Sequence, residues 1–180
     1  MKRVRDWRPW LLAVSALIIL LDRVTKQWVS RHVPEGDAIT VIPRVFRITH
    51  VENPGAAFSL FIDSPHPELT RWLLIGFSLL AAIVVLIVLA RIGYRFSLTA
   101  LSMALVLGGA IGNVWDRLGY GTVVDFLEVH IVRYHWPDFN VADSAIVIGG
   151  ILLLLDSLRS TSPAKADQAG SETSQDASRA

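Results

Sequence analysis

The chain has 180 residues, of which 52% are hydrophobic and 18% are charged, with a formal net charge of +1 and no cysteine. This apolar share exceeds that of a soluble domain of the same size and indicates an integral membrane protein. The lack of cysteine excludes disulfides, thiol nucleophiles and thiolate metal sites. The arginines are scattered among apolar segments rather than clustered with aromatic residues, which argues against nucleic-acid binding.

Four hydrophobic segments are long enough to cross a bilayer as helices, which takes about 20 mostly apolar residues: residues 10–28, 72–90, 96–115 and 139–158. The second and third carry no charge. The first has its charges in its last turns, and the fourth contains Asp143 near its start and Asp156 near its end. We predict an all-α membrane domain over residues 1–159 with four transmembrane helices.

The first segment begins like a signal peptide, with four basic residues among the first eight, but it has no small-residue cleavage pattern. We therefore predict that it stays as the first helix. Together with Arg91 and Arg95 in the connection between the second and third helices, the basic amino-terminal residues place both termini in the cytoplasm. The two longer connections then lie on the outer side of the membrane.

The connection between the first two helices predicts a small extracytoplasmic β-sheet. Residues 37–61 mix hydrophobic residues with the breakers Pro43, Pro54 and Gly55, a pattern typical of short strands rather than of a helix. After the last helix, residues 160–180 are mostly small and polar, with almost nothing to bury. They are predicted to form a disordered cytoplasmic tail.

Nearly every unusual polar residue falls on the outer side in this arrangement. Asp22 and Lys26 end the first helix four residues apart, so they share a helix face and can pair. The other members are Asn53 in the first outer segment, Gly108, Asn113, Asp116 and Arg117 at the end of the third helix, Asp125 in the second outer segment, and Asn140, Ala142 and Asp143 at the start of the fourth helix.

Taken one at a time, most of these residues have a purely structural explanation. The charged residues at the ends of the first and third helices suit the headgroup level of the membrane. Gly108 and Gly112 have the spacing that lets helices approach closely, and Asn140 suits a helix N-cap. By itself, Asp125 would be a carboxylate in a surface loop.

Asp143 is harder to explain in this way, because it lies in the first turn of an apolar helix, where the helix dipole favours its charge but hydration is lost. If it lies close to Asp125, the two carboxyl groups cannot both ionise readily, so one donates a proton while the other accepts. Such a pair can activate water and protonate a leaving amine, as in aspartic proteolysis, without a metal or cofactor. Asn113 is placed to tie helices together, and donors for a carboxylate or a peptide are Asn53, Arg117 and Asn140.

The combined motifs resemble the lipoprotein signal peptidases, the type II signal peptidases of bacteria. They are the runs 22–26, 53–58, 108–117, 123–127 and 139–146. The resemblance extends from Trp10 to about Leu158 and implies a four-helix inner-membrane aspartic protease with a small sheet and a short helix outside the membrane. Its active site would open at the outer leaflet. It would remove signal peptides from prolipoproteins whose lipobox cysteine carries a diacylglyceryl group, cleaving before that cysteine.

The resemblance also implies roles for the outer polar residues. Asp125 and Asp143 match the catalytic pair of the family, and Asp22 with Lys26 matches its first-helix motif. Site-supporting or substrate-binding roles fall on Asn53, Gly108, Asn113, Asp116, Arg117, Asn140 and Ala142. The expected partners are lipidated prolipoprotein signal peptides and membrane lipid. We expect no cofactor and no metal, and a monomeric enzyme.

The sequence is less compatible with two other functional classes. A small proton-coupled transporter or channel would use the acids as a relay, but they cluster at one membrane face instead of spacing through the bilayer. A metal hydrolase is disfavoured because His130 and His135 are five residues apart and lack the two-histidine helical motif. A serine hydrolase is disfavoured because Ser144 has no evident histidine base.

Overall fold

A computed structural model of the chain describes residues 6–55, 64–132 and 134–160. Along these residues the elements are α1 (Arg8–His32), β1 (Ala38–Ile42), β2 (Phe46–Asn53), α2 (Pro67–Ile92), α3 (Leu98–Gly119), β3 (Val123–Ile131), β4 (Tyr134–Phe139) and α4 (Val141–Ser160). The fold is mostly helical with one small antiparallel sheet, as predicted. The predicted tail, beyond residue 160, and residues 56–58 of the second motif lie outside the described residues.

Three of these helices are long and apolar enough to cross a membrane, namely α2, α3 and residues Val141–Arg159 of α4. Helix α1 has 25 residues, which is ample length for a span at 1.5 Å per residue. However, Asp22, Arg23 and Lys26 in its second half give it a more polar composition. The predicted count of four spans therefore depends on α1, whose charges need partners inside the protein.

Helix α3 is the centre of the helical bundle, since it packs against α1, α2 and α4. Leu11, Leu89 and Leu107 form the core where α1, α2 and α3 meet. On the other side of α2 the apolar side chains point outward: Leu73 and Phe77 are 63% and 73% exposed. An outward apolar surface on such a helix fits lipid rather than water.

Two glycines allow α3 to approach its neighbours closely. A Cβ on Gly108 would lie 2.8 Å from the backbone oxygen of Ser15 in α1, and one on Gly109 would overlap the backbone oxygen of Ala142 in α4. Both separations are too short for a side chain. The structure thus gives Gly108 a packing role between α1 and α3, as its spacing predicted.

The sheet has four antiparallel strands in the order β1-β2-β3-β4. Its second half comes from the connection between α3 and α4, so Asp125 lies on a strand and not in the loop that the sequence suggested. The sheet docks on the end of α1, where Val29 and Val33 pack against Val124 and Phe126. In the described part of the chain no short helix accompanies the four long ones, so the predicted short outer helix is not found there.

Candidate functional site

Strand pairing places Asp125 beside Asn53. In the register between β2 and β3, Val51 is opposite Asp125 and Asn53 is opposite Val123. Side chains two residues apart on a strand share a face, so Asn53 and Asp125 are diagonal neighbours on one face of the sheet. Asn53 Nδ2 donates a 2.9 Å hydrogen bond to Asp125 Oδ2. The sheet register therefore fixes one side of the Asp125 carboxyl group.

Asp143 is held by the first turn of α4. Its backbone N–H donates to Asn140 Oδ1 at 2.9 Å, and its own Oδ2 accepts from the backbone N–H of Asn140 at 3.3 Å. These reciprocal bonds satisfy amide groups that the start of a helix leaves unpaired. Asn140 is therefore the N-cap that its position suggested, and capping fixes where the Asp143 carboxylate points.

Asn140 also joins the two aspartates. Its Nδ2 donates to Asp125 Oδ1 at 2.7 Å, while its backbone N–H contacts Asp143 as described. On the far side, Asn113 Nδ2 donates to Asp143 Oδ1 at 2.8 Å. One residue thus contacts both carboxyl groups, and the two aspartates predicted to form a pair line the same cleft.

The environment of Asp125 favours its protonated form. The residue is 3% exposed, and burial raises the pKa of its carboxyl group from the ordinary 3.8 to about 7, with a further upward contribution from the negative charge of Asp143. Hydrogen bonds from Asn53 and Asn140 act in the opposite direction. Near neutral pH this group can therefore hold a proton and release it.

A buried ion cluster lies beneath the pair. Lys26, only 1% exposed, contacts Asp22 at 2.8 Å and Asp116 at 2.7 Å, and Arg23 also pairs with Asp116. Both aspartates are fully buried within the protein, so their charges are balanced by cations of the protein itself. Asp116, which the sequence grouped with its neighbour Arg117, is instead bound by cations from α1.

The cluster is linked to the aspartate pair by hydrogen bonds. Lys26 Nζ donates to Asn113 Oδ1 at 3.3 Å, and Asn113 donates to Asp143. The backbone N–H of Ala142 donates to Asp22 Oδ1 at 3.0 Å. Helix α1 therefore helps to orient the first turn of α4. This contact gives the buried pair of Asp22 and Lys26 a structural role in the helical bundle.

Arg117 has a different contact from the one expected. Its Nη2 donates to the backbone oxygen of Gly55 at 2.8 Å, while its Nε is buried without a hydrogen bond. Arg71 in turn donates to the backbone oxygen of Arg117 at 2.9 Å. Arg117 thus lines the cleft beside the aspartates and fastens the end of β2, rather than bonding directly to either carboxyl group.

The aspartates lie in a cleft of about 440 Å³ with a mainly apolar wall. The sequence did not single out Trp136 and Pro137 of β4 or Val147 and Ile148 of α4, although all four line the cleft. The sequence analysis predicted no strand over residues 134–139. Such a strand would have placed Trp136 on a defined face of the sheet. Ser144 also lines the cleft, but its hydroxyl donates to the backbone oxygen of Asn140 at 2.9 Å.

The chain is similar to known bacterial proteins over most of its length. The family described as signal peptidase (SPase) II matches residues 14–159. A protein named lipoprotein signal peptidase from Burkholderia mallei (strain SAVP1) is 42% identical over 151 residues, covering 84% of this chain and 88% of the relative. One of the same name from Syntrophus aciditrophicus (strain SB) is 41% identical over 149 residues, covering 82% and 91%.

Solved structures resemble the fold as well. A bacterial membrane enzyme solved by the in meso method at 2.3 Å resolution aligns with a TM-score of 0.75 at 28% identity, covering 93% of this chain and 99% of the other. A second, solved by the same method at 1.9 Å resolution, aligns with a TM-score of 0.69 at 28% identity, covering 89% and 100%.

Proposed function

Because the chain belongs to the signal peptidase II family and acts as a lipoprotein signal peptidase of the bacterial inner membrane, we propose that Asp125 and Asp143 are its catalytic residues. The observation that carries this proposal is the contact of Asn140 with both carboxyl groups at the wall of one cleft. A positioned acid and a positioned base are what peptide hydrolysis by water requires.

We assign the proton donor to Asp125, because burial and the charge of Asp143 raise its pKa to about 7. Asp143 is the base: it lies in the first turn of α4, where the helix dipole favours negative charge, and two N–H groups hold its oxygens. In this mechanism Asp143 takes a proton from the attacking water. Asp125 polarises the scissile carbonyl and then protonates the departing amine.

The cleft fits a hydrophobic substrate segment. Its wall combines Trp136 and Phe139 with apolar residues of α4, while the aspartates and their amide donors occupy one part. A signal peptide can place apolar side chains against this wall with its backbone at the carboxyl groups. We propose that the acyl chains of a diacylglyceryl-modified cysteine extend from the cleft into lipid, and that cleavage occurs immediately before that cysteine.

For the membrane arrangement, we propose four spans with α1 included, both termini in the cytoplasm and the sheet outside. The charges of Asp22 and Lys26 are paired and buried within the protein, which lowers the cost of placing α1 in a bilayer. The aspartate pair then lies at the outer leaflet. A single chain contains all the residues of the cleft, so we propose a monomer.

Cleavage of a diacylglyceryl-modified prolipoprotein by purified enzyme tests the catalytic assignment. Asp125→Asn and Asp143→Asn should each lower kcat/KM by about 10²- to 10⁴-fold, the usual contribution of general acid–base catalysis. The matched control is Asp37→Asn, which changes an exposed aspartate and should keep the rate. A normal rate in either site variant contradicts the proposal, and equal cleavage of unmodified precursor contradicts the lipid requirement.

The absence of cysteine from the chain allows a direct test of the membrane arrangement. A membrane-impermeant thiol reagent applied to intact spheroplasts should label Glu35→Cys, in the connection before β1. It should label Tyr94→Cys, between α2 and α3, only after the membrane is permeabilised. The reverse pattern would show that the sheet lies on the cytoplasmic side.

A further inference from the structure

Three possible metal ligands meet on the sheet, away from the aspartate pair. His130 of β3 and His135 of β4 are directly opposite each other in the register of that hairpin. Glu128 is two residues before His130 and therefore shares its face of the sheet. The five-residue spacing that did not fit a helical motif is thus a cross-strand pairing, which brings the two imidazole rings to 4.9 Å between centroids.

The distances suit one metal ion. His130 Nε2 and His135 Nε2 lie 3.2 Å and 3.1 Å from the same oxygen, Glu128 Oε1, and one ligand atom from each residue falls within 4.8 Å of the others. Ligand atoms around a tetrahedral zinc ion, with bonds of about 2.1 Å, stand about 3.4 Å apart. Small side-chain adjustments would therefore place all three around an ion.

The burial of the three residues also fits a binding site. His130 Nε2 is shielded from solvent and points toward Glu128 Oε1, which lies 3.2 Å away. The His135 side chain is 52% exposed, which leaves an entry path for an ion and room for water as a fourth ligand. Two imidazoles with one carboxylate are a donor set that Zn²⁺ accepts.

We propose that Glu128, His130 and His135 form a zinc-binding site on the outer sheet, distinct from the aspartate pair. Asp125 points to the other face of β3, because side chains three residues apart on a strand lie on opposite faces. The ion would tie β3 to β4. Since Trp136 of β4 lines the cleft, the bound ion would hold the cleft wall in place and would take no part in the chemistry.

Arg47 would compete with the ion for the carboxylate. It is opposite Glu128 in the register between β2 and β3, and its Nη2 donates to Glu128 Oε1 at 2.6 Å. The guanidinium group therefore occupies the oxygen that both histidines approach. We expect Arg47→Gln to bind Zn²⁺ more tightly than the wild type, because the variant removes a positive charge and frees a ligand atom.

Equilibrium dialysis of the chelator-treated, untagged full-length enzyme against ZnCl₂ tests the site. The wild type should bind one Zn²⁺ per chain. His130→Ala and His135→Ala should weaken binding by about tenfold or more, since even outer-shell changes at zinc sites cost about 10- to 100-fold. The matched control is His66→Ala, which removes an exposed histidine before α2 and should leave binding unchanged.

Thermal unfolding provides a second measurement in case a variant folds poorly. Zn²⁺ should raise the Tm of the wild type and of Arg47→Gln, because an ion that binds the folded state stabilises it, and it should not raise the Tm of His135→Ala. Absence of binding to the wild type, or binding and Tm shifts that persist in both histidine variants, would overturn the proposal. No substrate is used, so the result is independent of the catalytic assignment.

Discussion

Strand β3 carries two buried carboxyl groups three residues apart, and their surroundings give them opposite properties. Asp125 is 3% exposed and Glu128 is 1% exposed. The pKa of Asp125 is raised to about 7 by burial and by Asp143, whereas hydrogen bonds from Arg47 hold the pKa of Glu128 below its ordinary value. Burial is the largest cause of the raised pKa of Asp125, whereas at Glu128 the hydrogen bonds from Arg47 outweigh the effect of burial.

Within one sheet, Asp125 belongs to the proposed catalytic pair, whereas Glu128 forms a structural ion pair. Amide donors and a second carboxylate surround Asp125, so the group can exchange a proton. The positive guanidinium group of Arg47 pairs with Glu128, so this carboxylate stays ionised and links β2 to β3.

The largest effect on stability is expected from Lys26→Met. The change leaves Asp22 without its cation and Asp116 with Arg23 alone, and removing one partner of a buried ion pair costs about 3–5 kcal/mol. Equilibrium unfolding in mixed micelles measures the loss. The control is Arg8→Met, which breaks the exposed pair with Asp6 and should leave the unfolding free energy nearly unchanged, because solvent screens an exposed ion pair. Equal losses would show that burial of the pair is energetically unimportant.

A smaller effect is expected from Arg47→Gln. Glu128 would lose its charged partner while its own side chain stays buried, so the unfolding free energy should fall, but by less than in Lys26→Met because Arg47 is partly exposed. Peptide cleavage at temperatures where the variant remains folded should stay close to wild type, because Arg47 does not line the cleft. A large fall in kcat under those conditions would show that the two carboxyl groups of β3 are functionally coupled.

The pH dependence of cleavage tests the protonation of Asp125. If Asp125 donates the proton, kcat/KM falls as pH rises through about 7, because the protonated form is lost above its pKa. Asn53→Ala removes a hydrogen bond that favours the ionised form, so the pKa rises and the alkaline limb moves to higher pH by up to about one unit. Thr49→Ala, which breaks a bond to Asp138, should leave the limb in place. An unmoved limb in Asn53→Ala would assign the proton to Asp143.

The smallest effect is expected at the turn that ends β3. Val132 has φ of 59° and is 96% exposed, a strained conformation for a β-branched residue. Val132→Gly should relieve the strain, which costs about 1–2 kcal/mol, but should lose part of this gain to backbone entropy. We expect a net gain of about 0.5–1 kcal/mol, seen as a higher Tm. A lower Tm would mean that Val132 has contacts that outweigh the strain.

The sequence alone determined the class of protein and its family. Hydrophobic length predicted helices that correspond to α1 through α4, because the cost of exposing apolar side chains to water is independent of fold detail. The i, i+4 spacing predicted the contact between Asp22 and Lys26, since helix geometry fixes that distance. The motif order identified the family, and the cap at Asn140 followed from local backbone chemistry.

Only the tertiary structure decided how these residues meet. Asn53, Asp125 and Asn140 are distant in sequence, and their contacts depend on the register of β2 with β3 and on where α4 begins. Packing of the helices likewise buries Lys26 and brings Arg117 to the backbone of Gly55. Pairing of β3 with β4 places His130 opposite His135. The physical reason is that local spacing fixes neighbours along one helix or strand, whereas pKa values and ligand distances depend on atoms that other elements bring within a few ångströms.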